Sequence, residues 1–129
     1  MRKATIEEQP LDTFVSDLAV NIGGALAAAQ AVVPNMSKRG SGTILLTGGG
    51  YALEPNPEFL SLSTGKAGIR ALAHGLFDAM KQKGIHVATV TVAAAVTPGS
   101  KNAEAVGEHF WQLHNQPKGS WTAEVKYAA

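Results

Sequence analysis

Apolar positions along the chain follow two rhythms. In residues 63–84, "STGKAGIRALAHGLFDAMKQKG", Ile69, Leu72, Ala73, Leu76, Phe77 and Met80 recur at three- and four-residue spacing. That period predicts a helix with Ser63 or Thr64 as its cap. Lys81 and Lys83 complement its dipole, and Gly84 is placed to end it in the left-handed conformation. Residues 10–40 read as one long alanine-rich helix that opens at Pro10 and closes with basic residues before Gly40. Pro34 is predicted to kink or terminate it, because proline lacks an amide donor and clashes with the preceding turn. "NAEAVGEHFWQLHN", 102–115, is a shorter amphipathic helix with Val106, Phe110 and Leu113 on one side.

The second rhythm is a continuous apolar run. "GTILLT" (42–47) and "IHVATVTVAAAV" (85–96) are rich in β-branched residues and too apolar on alternate positions for solvated edges. They predict strands buried on both faces, as in a parallel sheet. "WTAEVKY" (121–127) supplies a last strand. Helix and strand therefore alternate, which predicts an α/β fold with a parallel sheet of about three strands flanked by helices, in one domain over residues 1–129. Three strands make a thin sheet, so an edge or face is expected to be completed by something else.

Composition narrows the function classes. Eleven basic residues against ten acidic ones, without a block of like charge, leave no electrostatic footprint for nucleic acid or an anionic membrane. The absence of cysteine excludes disulfides and thiolate metal sites. "MRKATIEEQP" has no apolar core behind its charges and does not read as a secretory signal. Leu18 to Ser37 is uncharged for long enough to span a bilayer, but it holds Asn21, Gln30 and Pro34 and reads instead as a buried soluble helix. The expectation is a cytoplasmic protein with neither a membrane nor a nucleic-acid partner. Small residues recur on two helices: Gly23, Gly24, Ala27, Ala28 and Ala31 on the first, and Ala67, Ala71, Gly75 and Ala79 on the second. Such surfaces allow close helix approach, either to this chain's own sheet or across a subunit interface through helices 10–38 and 64–83.

The ordered series "VNIGG", "GTILLT", "STGKAGIRAL", "KGIHVATVTV" and "VGEHFWQL" resembles the C-terminal half of a short-chain dehydrogenase/reductase over nearly the whole chain. The resemblance implies a partial Rossmann-like fold whose N-terminal βαβ cofactor half is missing, with NAD or NADP as cofactor and hydride transfer to or from a carbonyl or alcohol carbon. It further implies an Asn, a Ser, a Tyr and a Lys in the site. In that scheme the Tyr hydroxyl moves the proton, the Lys lowers the Tyr pKa, the Ser orients the carbonyl, and the Asn supports a relay. Asn21 matches the Asn and Lys66 the Lys. The Tyr position is Leu62 and the Ser position is Gly49, neither of which can move a proton. Lys66 and Thr97 are the implied cofactor contacts, and the family's Pro-Gly reads Val92-Ala93.

"GGGYALEPNP" runs into two prolines and does not open a helix, so its three glycines read as a remodelled turn in place of the serine loop and not as a phosphate cradle. Tyr51, Ser61 and Ser63 are the nearby hydroxyls available as substitutes, each with an ordinary loop role as the simpler reading. Without its Tyr, Lys66 has a plain reading as a solvated lysine, and Asn21 as a structural hydrogen-bonding residue. His74, His86, His109 and His114 lack ligand spacing with carboxylates, so no metal site is expected. Trp111 and Trp121 are expected to pack against the core. Three readings stand: a truncated reductase inactive by itself, a cofactor-sensing pseudo-enzyme, or a homodimerisation module.

Overall fold

A computed structural model describes residues 3–129. Helix α1 (Leu11–Leu18) passes through a π-helical turn at Ala19–Gly23 into α2 (Gly24–Arg39). Then follow β1 (Gly42–Gly49), a 3-10 turn at Gly50–Ala52, α3 (Leu60–Lys81), β2 (Ile85–Ala93), α4 (Lys101–His114), a second 3-10 turn at Lys118–Ser120 and β3 (Glu124–Ala128). The sheet has the order β1-β2-β3 and both pairings are parallel, with Gly42 opposite Ile85 and Thr89 opposite Glu124. This is the α/β alternation predicted by the two rhythms.

β2 is the centre. Ile85, Val87 and Val90 are fully buried, each contributing about 1.5–3 kcal/mol relative to exposure. Its two faces serve different helices, since successive strand side chains point to opposite sides. Ala88 and Val90 pack with Leu113 and Phe110 of α4, while Thr91 reaches Glu124 and thereby Arg70 of α3. β1 is only partly buried, contrary to the expectation of a strand covered on both faces. It is an edge: its outer amides and carbonyls have no strand partner among the described residues.

Several expectations are corrected by the structure. Pro34 neither ends nor breaks α2, which runs on to Arg39 and stops at Gly40 with φ of 67°. The missing donor frees a single carbonyl on a solvent-exposed helix, where water can take its place. The irregularity lies earlier, in the π turn that holds Asn21. α3 begins at Leu60, so the expected caps Ser63 and Thr64 lie inside the helix and do not cap it. β2 ends at Ala93 and β3 begins at Glu124, which puts Trp121 in a turn. Trp121 stacks on buried His86 with centroids 4.7 Å apart, but Trp111 is 59% exposed and does not pack the core.

The first long helix is not buried either. Among Leu11–Arg39 only Ala29 is, although the segment is apolar enough by length and composition to cross a bilayer. The small residues singled out from the sequence, Gly23, Gly24, Ala27, Ala28 and Ala31 in the first helical segment and Ala67, Ala71, Gly75 and Ala79 on α3, are all exposed, which removes the reading that they pack on this chain's own sheet.

Gly84 shows why glycine separates α3 from β2. Its φ is +79°, and a Cβ there would stand 2.1 Å from the Gly40 carbonyl oxygen. Left-handed geometry and close approach each demand the absence of a side chain.

Candidate active-site cleft

Because β1 and β2 run parallel, both release their chains at the same end of the sheet. A cleft of about 770 Å³ opens there, a size that suits a small ligand. Its floor is Gly48–Gly50, one wall is Tyr51, Leu53 and Glu54, another is Leu62 and Lys66 of α3, and the last is Val92 to Ala95.

Two glycines of the floor, Gly48 and Gly50, are steric necessities. A Cβ at Gly48 would lie 2.8 Å from Thr89 Oγ1 and 3.1 Å from the Val90 carbonyl oxygen, and one at Gly50 would lie 2.9 Å from Ala93 Cβ. The run lets β1 turn tightly against the end of β2. At Gly49 a Cβ would meet the Lys66 methylenes at 3.1–3.3 Å, so the lysine stem lies across the position expected for the family's serine.

Lys66 Nζ donates to the Thr47 carbonyl oxygen at 3.0 Å. Burial holds its ammonium below the ordinary lysine range. No carboxylate pairs with it among the described residues. Leu62, one helical turn earlier, lines the same cleft with an isobutyl group where a proton donor would stand.

The other expected residues lie elsewhere. Asn21 sits in the π turn against α3: a Cβ at Gly65 would be 3.3 Å from its Nδ2. It is thus beside the residue preceding Lys66 but does not line the cleft. Thr97 is exposed in the turn before α4, where its carbonyl accepts the Ser100 amide at 3.1 Å, and it too lies outside the cleft lining. Ser61 donates to Asp17 Oδ2 at 2.8 Å, and Ser63 Oγ accepts the Asn56 amide at 3.0 Å. Both hydroxyls are buried in local structure. Tyr51 does reach the cleft, stacked on Phe59 at 5.8 Å. Leu53, Glu54, Ala94 and Ala95 carry no site role in the sequence reading; their position after the ends of two parallel strands is the signal that could have found them. No group of three or more His, Asp or Glu side chains is arranged to hold a metal among the described residues.

Parallel strands with helices on both faces and a cleft at their C-terminal ends define a Rossmann-type α/β unit. The short chain dehydrogenase family matches residues 1–106, and the chain belongs to it. The oxidoreductase asL5 of Sarocladium schorii is 29% identical over 96 residues, which are 74% of this chain and 38% of that protein. A short-chain dehydrogenase from Rhodopseudomonas palustris superposes with a TM-score of 0.87 at 26% identity, covering 100% of this chain and 57% of the other. A metagenomic short-chain oxidoreductase in complex with NADP gives 0.84 at 17%, covering 96% and 55%. The chain spans little more than half the length of these solved proteins and less of the curated relative. Family members are generally soluble proteins.

The residues present fit a dinucleotide only in part. Lys66 and the backbone from Val92 to Ala95 leave room for one end of such a molecule. No Gly-x-Gly-x-x-Gly occurs in the sequence, so the pyrophosphate has no fingerprint here.

Proposed function

We propose that this chain is the carbonyl-side half of an NAD(P)-dependent short-chain oxidoreductase architecture, cytoplasmic and without hydride transfer of its own. The observation that carries this reading is Leu62 in the cleft one turn before Lys66. A carbonyl oxygen gaining negative charge in such a cleft meets a lysine but no hydroxyl acid at the family's position, and general acid catalysis is lost with it. What remains is binding: apolar walls for a small organic ligand, and Lys66 as donor to a polar oxygen. Bound NAD or NADP would supply the hydride in a complete family member, and Lys66 is the residue here that would touch its nicotinamide end.

The test is NADPH-dependent reduction of a panel of aldehydes and ketones by the chain and by the Gly49→Ser, Leu62→Tyr double variant. Both are expected to give no turnover, since the variant restores the acid but not the dinucleotide fingerprint. Turnover by the double variant would overturn the reading. The intact mass in the native host gives a second test. About 13.4 kDa would favour a binding or assembly role for the short form, and roughly twice that mass a longer reductase.

A second reading is supported by the outward small residues: we propose that the α2 and α3 faces pair with those of another copy, making a homo-oligomer. Gly23, Gly24 and Gly75 have nothing within 4 Å of a Cβ position. Leu11, Val15 and Val20 expose more than half of their surface along the same long helix, an apolar surface of a kind that marks association.

A further inference from the structure

A primary amine that makes no ion pair among the described residues, set in a largely apolar cleft, has a chemistry that does not depend on the missing tyrosine. We propose that Lys66 captures small apolar aldehydes and ketones covalently, as an imine on Nζ. This rests on reading the cleft as a carbonyl-binding site.

The geometry supplies each requirement. Nζ makes one hydrogen bond, to the Thr47 carbonyl, and Lys66 lines the cleft with Leu62 on the turn before it. Among the described residues no carboxylate lies within ion-pairing distance of it. Desolvation without a compensating anion is the environment that makes a lysine nucleophilic, and burial is the cause of its lowered pKa. Val92 and Leu62 offer apolar contact to a hydrocarbon substituent, and Glu54 and Tyr51 are the cleft's groups able to carry protons.

The step balances without an oxidant or reductant. The nitrogen lone pair forms the C–N bond while the C=O π pair moves to oxygen. Proton transfer from nitrogen to oxygen gives a carbinolamine. The oxygen then leaves as water, taking the second nitrogen proton, and the nitrogen lone pair closes the C=N bond. The Tyr position being leucine favours this course, because nothing there competes for the carbonyl oxygen and Nζ is not engaged by a phenol.

The test uses the 129-residue chain with 2-naphthaldehyde and cyanoborohydride, followed by intact mass and peptide mapping. Labelling at Lys66 is expected to outpace that at any other lysine by about tenfold. Lys66→Met and Lys66→Arg should both lose that site-specific adduct. Labelling spread evenly over the lysines, or an unchanged adduct yield in the two variants, would overturn the proposal. Should neither variant fold, the peptide map of the unmodified sequence decides alone. 2-Naphthylmethanol, which has no carbonyl, separates the two readings. If its binding shifts amide resonances of Gly48–Gly50 while the aldehyde gives no Lys66 adduct, the imine fails and the cleft reading stands. If neither molecule perturbs those resonances and no adduct forms, both fail.

Discussion

Glu124 on β3 accepts two parallel hydrogen bonds from Arg70 on α3, Nε to Oε2 and Nη2 to Oε1, each at 2.9 Å. Thr91 of the central strand donates to Oε2, and His74 Nε2 stands 3.2 Å from Oε1. One carboxylate therefore ties the last strand to the helix that carries Lys66. The hydrogen bond from Arg70 is the main cause that holds the Glu124 carboxyl down to about 2 from 4.5. A carboxyl lowered on folding adds stability above its unfolded pKa and gives it up as pH falls through the folded one. Arg70→Leu is expected to lower stability near neutral pH. In urea titrations the gap between the variant and the parent should hold above pH 4.5, narrow between 4.5 and about 2, and close below that. A gap unchanged at pH 2 would assign the loss to packing and not to the ion pair.

Gly48 and Gly49 are neighbours with opposite tolerance. At Gly48 the added Cβ meets a backbone carbonyl and two threonine hydroxyls of β2, none free to retreat, whereas at Gly49 it meets the flexible stem of Lys66. Gly48→Ala is expected to destabilise by about 1–3 kcal/mol and Gly49→Ala by under about 1. Thermal unfolding of the pair checks the order, and equal losses would contradict it.

Lys66 gives a pH signature of the same sign as Glu124, at the alkaline end of the scale. Its folded pKa lies below the usual 10.5 because of burial, so the unfolded chain holds the proton more tightly. The resulting penalty is complete below the folded pKa and vanishes once the unfolded group also loses its proton. Stability relative to Lys66→Met should therefore rise with pH as the solution approaches 10.5. Denaturant midpoints measured from pH 7 upward test this, and a flat difference would mean that the ammonium is solvated.

Ala27 and Ala71 are exposed on α2 and α3, so charging them should leave the monomer's stability nearly untouched. If these faces join copies of the chain, Ala27→Arg with Ala71→Arg is expected to convert an oligomer to a monomer in sedimentation velocity, with the melting temperature of the monomer preserved. A parent chain that sediments as a monomer at tens of micromolar would remove the homo-oligomer reading.

Much of this architecture was legible because its signals are local. The period of Ile69, Leu72, Ala73 and Phe77 and the β-branched run from Ile85 depend only on near neighbours, and each gave the element seen. Pro34 misled because the rule for proline presumes that the freed carbonyl is costly, and on an exposed helix it is not. The burial expected of the first helix failed for a related reason: an apolar composition does not say what covers it. Lys66, Leu62, Gly49 and Thr97 were singled out through the family resemblance; the first three line the cleft, while the path of the turn leaves Thr97 outside it. The Arg70–Glu124 pair lies 54 residues apart in sequence, and nothing along the chain marks it. Only the register of β2 against β3 brings Thr91 and Glu124 within reach of α3.

β1 has a consequence that concerns handling more than chemistry. An eight-residue strand whose outer amides and carbonyls have no strand partner among the described residues is a template on which another strand can be laid. Within a longer molecule a further strand would occupy that row and be fixed there. In concentrated solution an identical chain can occupy it instead, and each addition presents a fresh row for the next. Growth of scattering with protein concentration would show whether identical chains associate through that edge.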